Sequence, residues 1–503
     1  MKKVNCMQHS NIPTVKRYTT KISVSAALFL SVILPGCSKW LDVTPKDKVP
    51  QKVLFSNEQG YKDALVGVYL SMDKSTSGGS YGLYTNHLSL GLVSVLAYSY
   101  DNGSAANVGG NAALFNAAYA YNYNDATMLA EQLNVWKALY NNVANLNNIL
   151  TQIDGQEGMF SGTNYQRVKG EALGLRALML FDALRLWGES PATGATIPAV
   201  PYVKEFSILS TPLSTVSEAT DLALEDLRQA RALLAQTDTS AVVREDSDPF
   251  VSYMQNHMNY WAVTGMLARV HQYRGNTDSA AWYANAVIAS GKFPLITSDV
   301  AFPGNPIRDR GFSQEQLFSV YTSNLAAYNQ SIYNTTIPLT LSFAGRINVY
   351  ATPSEDATDW RLRSWFDANA TTGMTVVPSK MFQDANLPYH MQGLVPVLRV
   401  SEMYYIASES LNSRGNIAGA VDVLNQVRKA RGLKPVNAAG IVAPDSVNNL
   451  ILREYKKEFI QEGQTWYYLK RLNKDLRAAT GTPAPIPPKA YVFPLPDLEK
   501  EYR

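Results

Sequence analysis

The sequence predicts a mainly α fold: a tetratricopeptide-like scaffold of helical pairs, an α-solenoid, carrying an irregular, loop-rich layer. Three observations predict it. Apolar residues recur at spacings of three and four through most of the chain, the period of a helix with one buried face. Two stretches repeat one another at fixed offsets. Two long segments lack helical period altogether, roughly 74–127 and 292–398. With 46% apolar and 17% charged residues in 503, the chain has the composition of a globular protein with a sizeable core.

The amino end has its own pattern. Lys2, Lys3, Lys16, Arg17 and Lys21 precede an uncharged run from Ile22 to Leu34, with no acidic residue in the first 36 positions. A basic stretch, a short apolar stretch and a small residue are the order of a secretory signal, and a run of this length is too short to span a bilayer, which needs roughly 20 residues. Leu34-Pro35-Gly36-Cys37 resembles the lipobox of bacterial lipoproteins, in which the cysteine is acylated and becomes the first residue. Cys37 is therefore the expected lipidation site, residues 1–36 the expected signal peptide and 37–503 the working domain. Cys6 and Cys37 are the two cysteines, so the processed chain would hold no disulfide and no free thiol. Acyl chains contribute about 0.8 kcal/mol per buried methylene and would moor the protein to a membrane it does not cross.

Five of the 45 Lys and Arg lie in the signal, leaving 40 against 42 Asp and Glu. That near-neutral balance argues against nucleic acid, which calls for a basic face.

The scaffold is expected over about 128–291 and 399–475. Trp136, Tyr140, Val143, Asn147 and Leu150 share one stripe, and Val168, Ala172, Leu175, Met179 and Ala183 share another that stops at Gly188. Thr215 and Glu218 read as a capping box opening a helix that buries Ala219, Leu222, Leu227 and Leu234. Further helices are expected near 256–274, 277–290, 399–412, 417–431 and 447–472. "RGNTDSAAWYANAV" from Arg274 and "RGNIAGAVDVLNQV" from Arg414 share Arg-Gly-Asn, then Ala280 with Ala420, Asn285 with Asn425 and Val287 with Val427. The glycine is read as ending one helix, the asparagine as capping the next, and the alanine as letting the pair pack closely.

Four segments together are similar to the SusD/RagB-like nutrient-binding lipoproteins of Bacteroidetes: "CSKWLDVTPKDKV", "EALGLRALMLFDALRLWGE", "RVSEMYYIASESLNSRGN" with "AVDVLNQVRKARG", and "REYKKEFIQEGQTWYYLKRLN". Their order runs from Cys37 nearly to Arg503. The most specific pieces are Glu458-Phe459 with Glu462-Gly463, and Arg399 with Glu402 and Glu409. The likeness departs at Thr465 and Tyr468, where arginine and aspartate are usual, and in the weak acidic export signal after Cys37. The resemblance implies a lipid-anchored protein of the outer membrane, facing outward. Its role would be to hold oligosaccharide, or alternatively peptide, above a partner SusC-like TonB-dependent transporter.

Long irregular segments in a compact protein are often functional, and the family's ligand loops fall in the same two zones. Sugar recognition needs flat apolar faces against ring C–H groups, with amides and carboxylates for the hydroxyls. Tyr81, Tyr84, Tyr98, Tyr100 and Asn102 offer this in the first zone, and Tyr321, Asn324, Tyr328 and Tyr333 in the second. Tyr350, Trp360 and Trp365 add aromatic surface, although aromatics commonly anchor loops to a scaffold and Trp360 and Trp365 can also be read as core.

No enzyme signature is present: no H-E-x-x-H, P-loop, G-x-G-x-x-G after a strand, or G-x-S-x-G. His257 and His271, placed on one helix, would stand about 21 Å apart and could not hold one metal. His87 and His390 read as structural, and Glu402 and Glu409 as packing groups. No cofactor or metal is expected, and capture without catalysis is preferred to a motif-free hydrolase or a helical-repeat adaptor.

Overall fold

The computed structural model describes residues 50–74, 82–101, 111–240, 246–302, 308–333, 339–342, 345, 349–350, 358–368, 375–384, 386–441, 443–474 and 490–501. The signal segment, Cys37, Tyr81 and Asn102 lie outside them. The elements below belong to the unit that begins at Leu54.

Ten helices carry the scaffold: α1 (Glu58–Ser71), α2 (Ala126–Ile153), α3 (Asn164–Trp187), α4 (Val216–Leu234), α5 (Tyr260–Arg274), α6 (Thr277–Ala289), α7 (Val400–Ser413), α8 (Ile417–Ala430), α9 (Pro444–Glu458) and α10 (Gln464–Arg471). From α2 to α8 each packs on the next, which is the tetratricopeptide-like arrangement expected. The caps explain the boundaries. Asn57 accepts from the Gly60 amide at α1, Asp125 from Thr127 at α2, and Thr215 and Glu218 form the reciprocal capping box at α4. Asn259 caps α5 through the Trp261 and Ala262 amides, so that helix begins at Tyr260 rather than near 256. His257 consequently lies outside the helix that carries His271.

The repeat is two helical pairs, α5–α6 and α7–α8. Gly275 and Gly415 turn each pair at φ 86° and 77°, a left-handed backbone that favours glycine. Ala280 and Ala420 are buried. Asn416 caps α8 by accepting from the Gly419 amide. Asn276 does not cap α6; its amide nitrogen lies 3.3 Å from His271 Nδ1 instead.

The helix expected over 447–472 is two helices. Its chain breaks between Glu458 and Gln464, where Gly463 has φ 72° and its backbone abuts the Leu88 carbonyl. At the two departures from the family pattern, Thr465 Oγ1 donates to the Tyr455 carbonyl at 3.3 Å and Tyr468 stacks on Tyr455 at 4.1 Å. A polar backbone contact and a ring stack occupy the place of an ion pair, so no charge is orphaned.

The zone 74–127 is helical in its described parts, a correction to the loop layer expected there. Leu83–Leu90 winds as a π-helix, followed by Leu92–Leu96 and Ala112–Tyr119. All of Leu83–Leu90 is buried. An eight-residue π-helix covered on every side shows neither a polar stripe nor the 3.6-residue period, so it is silent in sequence.

Strands β1 (Pro198–Pro201) and β2 (Leu213–Thr215) pair ahead of α4; the other five, β3 (Gln316–Tyr321), β4 (Leu341–Ser342), β5 (Phe366–Ala368), β6 (Thr375–Pro378) and β7 (Leu394–Arg399), belong to the second zone. β3 pairs antiparallel with β7, and β4, β6 and β5 form a small sheet in that order. This layer has its own core of Phe312, Tyr350, Trp360, Trp365 and Phe366. Trp360 Nε1 donates to the Ala430 carbonyl at 2.8 Å and Trp365 Nε1 to Arg310 at 2.9 Å, which settles both as core.

What fixes the layer to the scaffold is buried charge. Glu458, at the end of α9, accepts from Arg361, Arg399 and Arg431. Glu315, just before β3, accepts from Arg399 and Arg431. Glu454 accepts from Arg361 and Arg428, and Glu462 from Arg399 and Lys380. Arg361, Arg399, Arg431, Glu315, Glu454 and Glu458 have no solvent exposure. Glu402 accepts from Arg269, and Glu409 from Gln272 and Arg471. The specific carboxylates of the sequence are thus the fasteners between layers, and Glu402 and Glu409 hold helices to helices.

Candidate functional site

A groove of about 430 Å³ opens between α1, the turn from Asp248 to His257, and the end of β3. Three chain elements bring it together. α1 presents Lys62, Asp63, Val66, Tyr69 and Leu70 at helical spacing. The turn is built by Asp248, which accepts from the Phe250 amide, and by Ser252, which bridges to Asp246. β3 ends in Val320 and Tyr321, whose ring packs on Gly393 of the facing strand connection.

The floor is polar and fixed. Tyr69 donates to Glu171 Oε2 at 2.6 Å, and His257 Nδ1 meets the same oxygen at 2.9 Å. Glu171 is fully buried; burial alone would raise its carboxyl, yet His257 and Arg167 hold it below the usual carboxylate range. Burial first, and then Glu171, keep the Tyr69 hydroxyl well above its ordinary value and hence protonated. Lys62 pairs with Glu58 at 3.0 Å and Asp248 at 3.3 Å, its ammonium 5.1 Å from the Phe250 ring centroid. Burial would also raise Glu58, but the Ser161 amide, Lys62 and Asn164 bring it down to about 2.

The mouth is aromatic. Tyr321, in the lining, is 40% exposed, and Tyr389, beside Tyr253 but outside the lining, is 70% exposed. Tyr253 is half-buried, with its ring centroid 6.4 Å from that of Tyr389. Gln255 Nε2 donates to the His390 carbonyl at 3.2 Å and ties the two loops that carry Tyr253 and Tyr389. These rings offer apolar faces beside carboxylates and amides, the mixture a sugar needs.

Of the described tyrosines expected from sequence, Tyr321 alone lines this groove, and Tyr81 lies outside the described residues. Asn324 is exposed but stands outside the lining. The other described tyrosines are corrected to structural positions. Tyr84, Tyr98, Tyr100, Tyr328 and Tyr333 are each under 9% exposed. Tyr84 donates to Asp182 at 2.8 Å, Tyr98 to the Tyr119 carbonyl at 3.0 Å, and Tyr328 to Asp73 at 3.1 Å. Tyr100 and Tyr333 share a 2.6 Å contact beneath the Leu90 carbonyl. Rings whose faces and hydroxyls are spent on the core have nothing left for a ligand.

Sequence reasoning missed Lys62, Asp248, Tyr253, His257 and Tyr389. Asp248-Pro249 and Ser252 are turn residues with aromatics on either side, and Pro388 with Gly393 brackets Tyr389, signals that were hidden because the first lay inside the region assigned to scaffold. Among the described residues no cluster of three or more His, Cys, Asp or Glu could hold a metal ion. No described helix is long and apolar enough to cross a membrane.

Residues 39–271 match a family model described as SusD-like, starch-binding associating with outer membrane, and residues 367–491 match the SusD family model. The SusD-like protein P38 of Formosa agariphila is 27% identical over 361 residues, 61% of this chain and 66% of that protein. SusD-like protein P25 of the same organism is 24% identical over 55% of this chain and 48% of its own length. The chain thus spans between about half and two thirds of these curated relatives. Among solved structures, a SusD-like carbohydrate binding protein from Bacteroides vulgatus aligns with TM-score 0.65 at 17% identity, covering 83% of this chain and 84% of that one. A SusD superfamily protein from Bacteroides fragilis aligns with TM-score 0.64 at 21% identity, covering 89% and 98%. These two likenesses speak to fold.

Proposed function

The chain belongs to the SusD/RagB-like family, and on that premise we propose that it is a non-catalytic capture protein for oligosaccharide nutrients, seated in the groove between α1, the 248–257 turn and β3. The observation that carries the reading is the exposed Tyr321 in the lining of that groove, together with Tyr253, Asp63 and Asp248, with the exposed Tyr389 beside Tyr253. Exposed aromatics that cluster into one patch, rather than standing singly, mark interaction sites. The carbohydrate-binding description of the Bacteroides vulgatus neighbour and the starch-binding description of the family model support a sugar.

In this reading the chain is moored to the outer membrane by acyl groups on Cys37 and passes its ligand to a SusC-like TonB-dependent transporter. No cofactor takes part. Tyr321 is the ligand contact kept from the sequence expectation, joined by Tyr253 and Tyr389.

Calorimetric titration with a panel of neutral oligosaccharides and of tryptic peptides tests the ligand. Saturable binding of an oligosaccharide, weakened at least tenfold in Tyr321→Ala and Tyr389→Ala, supports the reading. Peptide binding with no sugar binding moves the function to the peptide-binding alternative, and released fragments overturn capture without catalysis. Radiolabelled palmitate incorporated by the wild type and not by Cys37→Ser tests the anchor.

A further inference from the structure

The charge around the groove narrows the ligand further, an inference that rests on the sugar reading above. Among the described groups that line the groove or touch its lining, the carboxylates are Glu58, Asp63, Asp246, Asp248 and Glu171, and the permanent cations are Lys62 and Arg167. Neither cation is available to a ligand's anion. Lys62 is nearly buried and bound to two carboxylates. Arg167 is buried beneath the floor, 3.9 Å from Glu171 and with Nη1 on the Met254 sulfur. His257 turns its Nδ1 inward, where it donates to Glu171.

The outward groups have the opposite sign. Asp63 is exposed on α1 and accepts from Gln59 at 2.7 Å through one carboxylate oxygen. Asp248 faces it across the groove from the turn, held by the Phe250 amide and Lys62. A cleft walled by apolar rings focuses the field of such charges on whatever enters. Carboxylates accept hydrogen bonds from hydroxyls but repel carboxylate, sulfate and phosphate.

We infer that the groove selects oligosaccharides free of acidic groups, with Asp63 and Asp248 as the specificity-determining residues that exclude uronated and sulfated glycans. Two carboxylates at about 7 Å from an incoming anion in a water-like medium make a penalty of about tenfold, and one that salt screens.

The test uses backbone-matched pairs: neutral gluco- and galacto-oligosaccharides, each with its 6-carboxylate and 6-sulfate counterpart, titrated against the full chain at low and high salt. The expected result is a neutral member that binds at least tenfold tighter than its acidic partners at low salt. The gap should close as salt rises, and in Asp63→Asn combined with Asp248→Asn. A second variant, Asp63→Asn alone, serves if the double variant does not fold. Acidic members that bind as well as or better than their neutral partners overturn the inference and leave sugar capture standing. A gap unmoved by salt and by both variants shows discrimination by shape and overturns the role of the two aspartates. If no member of any pair binds, the sugar reading itself has failed and the inference falls with it.

Discussion

Arg399 Nη1 and Glu458 Oε1 meet at 2.7 Å in the interior, and Arg431 reaches the same oxygen at the same distance. One residue ends β7 and the other ends α9, so this contact is where the strand layer is pinned to the helices. Glu458 lies between three guanidinium groups, which hold its carboxyl well below the usual range although burial works against them.

Glu458→Gln should therefore be severely destabilising. It leaves guanidinium groups buried beside a neutral amide, and breaking a buried pair on one side costs about 3–5 kcal/mol. Urea unfolding should show the loss as a lower midpoint. A midpoint unchanged within error would mean that the network is not what joins the layers.

Acid should act on the same network through Glu454. Burial would raise this carboxyl, yet Lys457, Arg361 and Arg428 bring it down to about 2. Its folded value is below its unfolded one, so the stabilisation is complete above about 4.5 and is lost as pH falls towards about 2. The unfolded chain binds the extra proton across that window, and the size is about 3 kcal/mol. Denaturation midpoints measured from pH 6 to pH 2 should fall more steeply for the wild type than for Glu454→Gln. Parallel curves would contradict the assignment.

His271 should stay neutral well into acid. Burial, then the charge of Arg228, push its imidazole down to about 4, and its ring stacks on Tyr283 at 5.5 Å. The native state resists a proton that the unfolded state takes, so stability falls as pH drops from about 6.5 to about 4. Ring-proton chemical shifts followed by NMR should show no His271 titration between pH 7 and pH 5.5. A midpoint near 6.5 would contradict the buried, Arg228-facing placement.

Gly393 has φ 69°, and a Cβ there would stand 2.5 Å from the Thr322 carbonyl oxygen and 2.8 Å from the Tyr321 ring. Gly393→Ala should cost about 1–2 kcal/mol for the left-handed backbone alone and should displace Tyr321 from the groove mouth. Thermal denaturation reads the first effect. Weakened binding of whichever oligosaccharide the wild type takes reads the second. Wild-type stability and binding together would show that neither the turn nor the ring position is as tight as described.

Helices were legible where one face meets water and one meets the core. The α4 capping box and the stripe of α2 could be read from spacing, because a half-buried helix writes its period into the sequence; α3 and α5 are covered almost all round and were legible through their length, the glycine that ends each and, for α5, the repeat. Leu83–Leu90 could not, since it is eight residues long and wound as a π-helix, which departs from the 3.6-residue period. The break at Gly463 was hidden because a glycine within an apolar helical pattern also fits an unbroken helix. The family resemblance singled out Glu458, Glu462, Arg399, Glu402 and Glu409 as special, but not as what.

The candidate site divides in the same way. The sequence by itself determined that aromatic residues are abundant in the irregular zones, that the charge balance is even and that no motif for covalent chemistry is present. Tertiary structure decided which rings face solvent. Tyr84, Tyr100 and Tyr333 went to the core and Tyr321 to a groove edge, although nothing in their neighbours distinguishes them. Exposure depends on what packs from elsewhere in the chain, as Asp182 does on Tyr84 and Leu90 on Tyr333. The groove joins residues near 62, 250 and 321 that are brought together by the layer contacts alone, and no local pattern records a contact made across such separations.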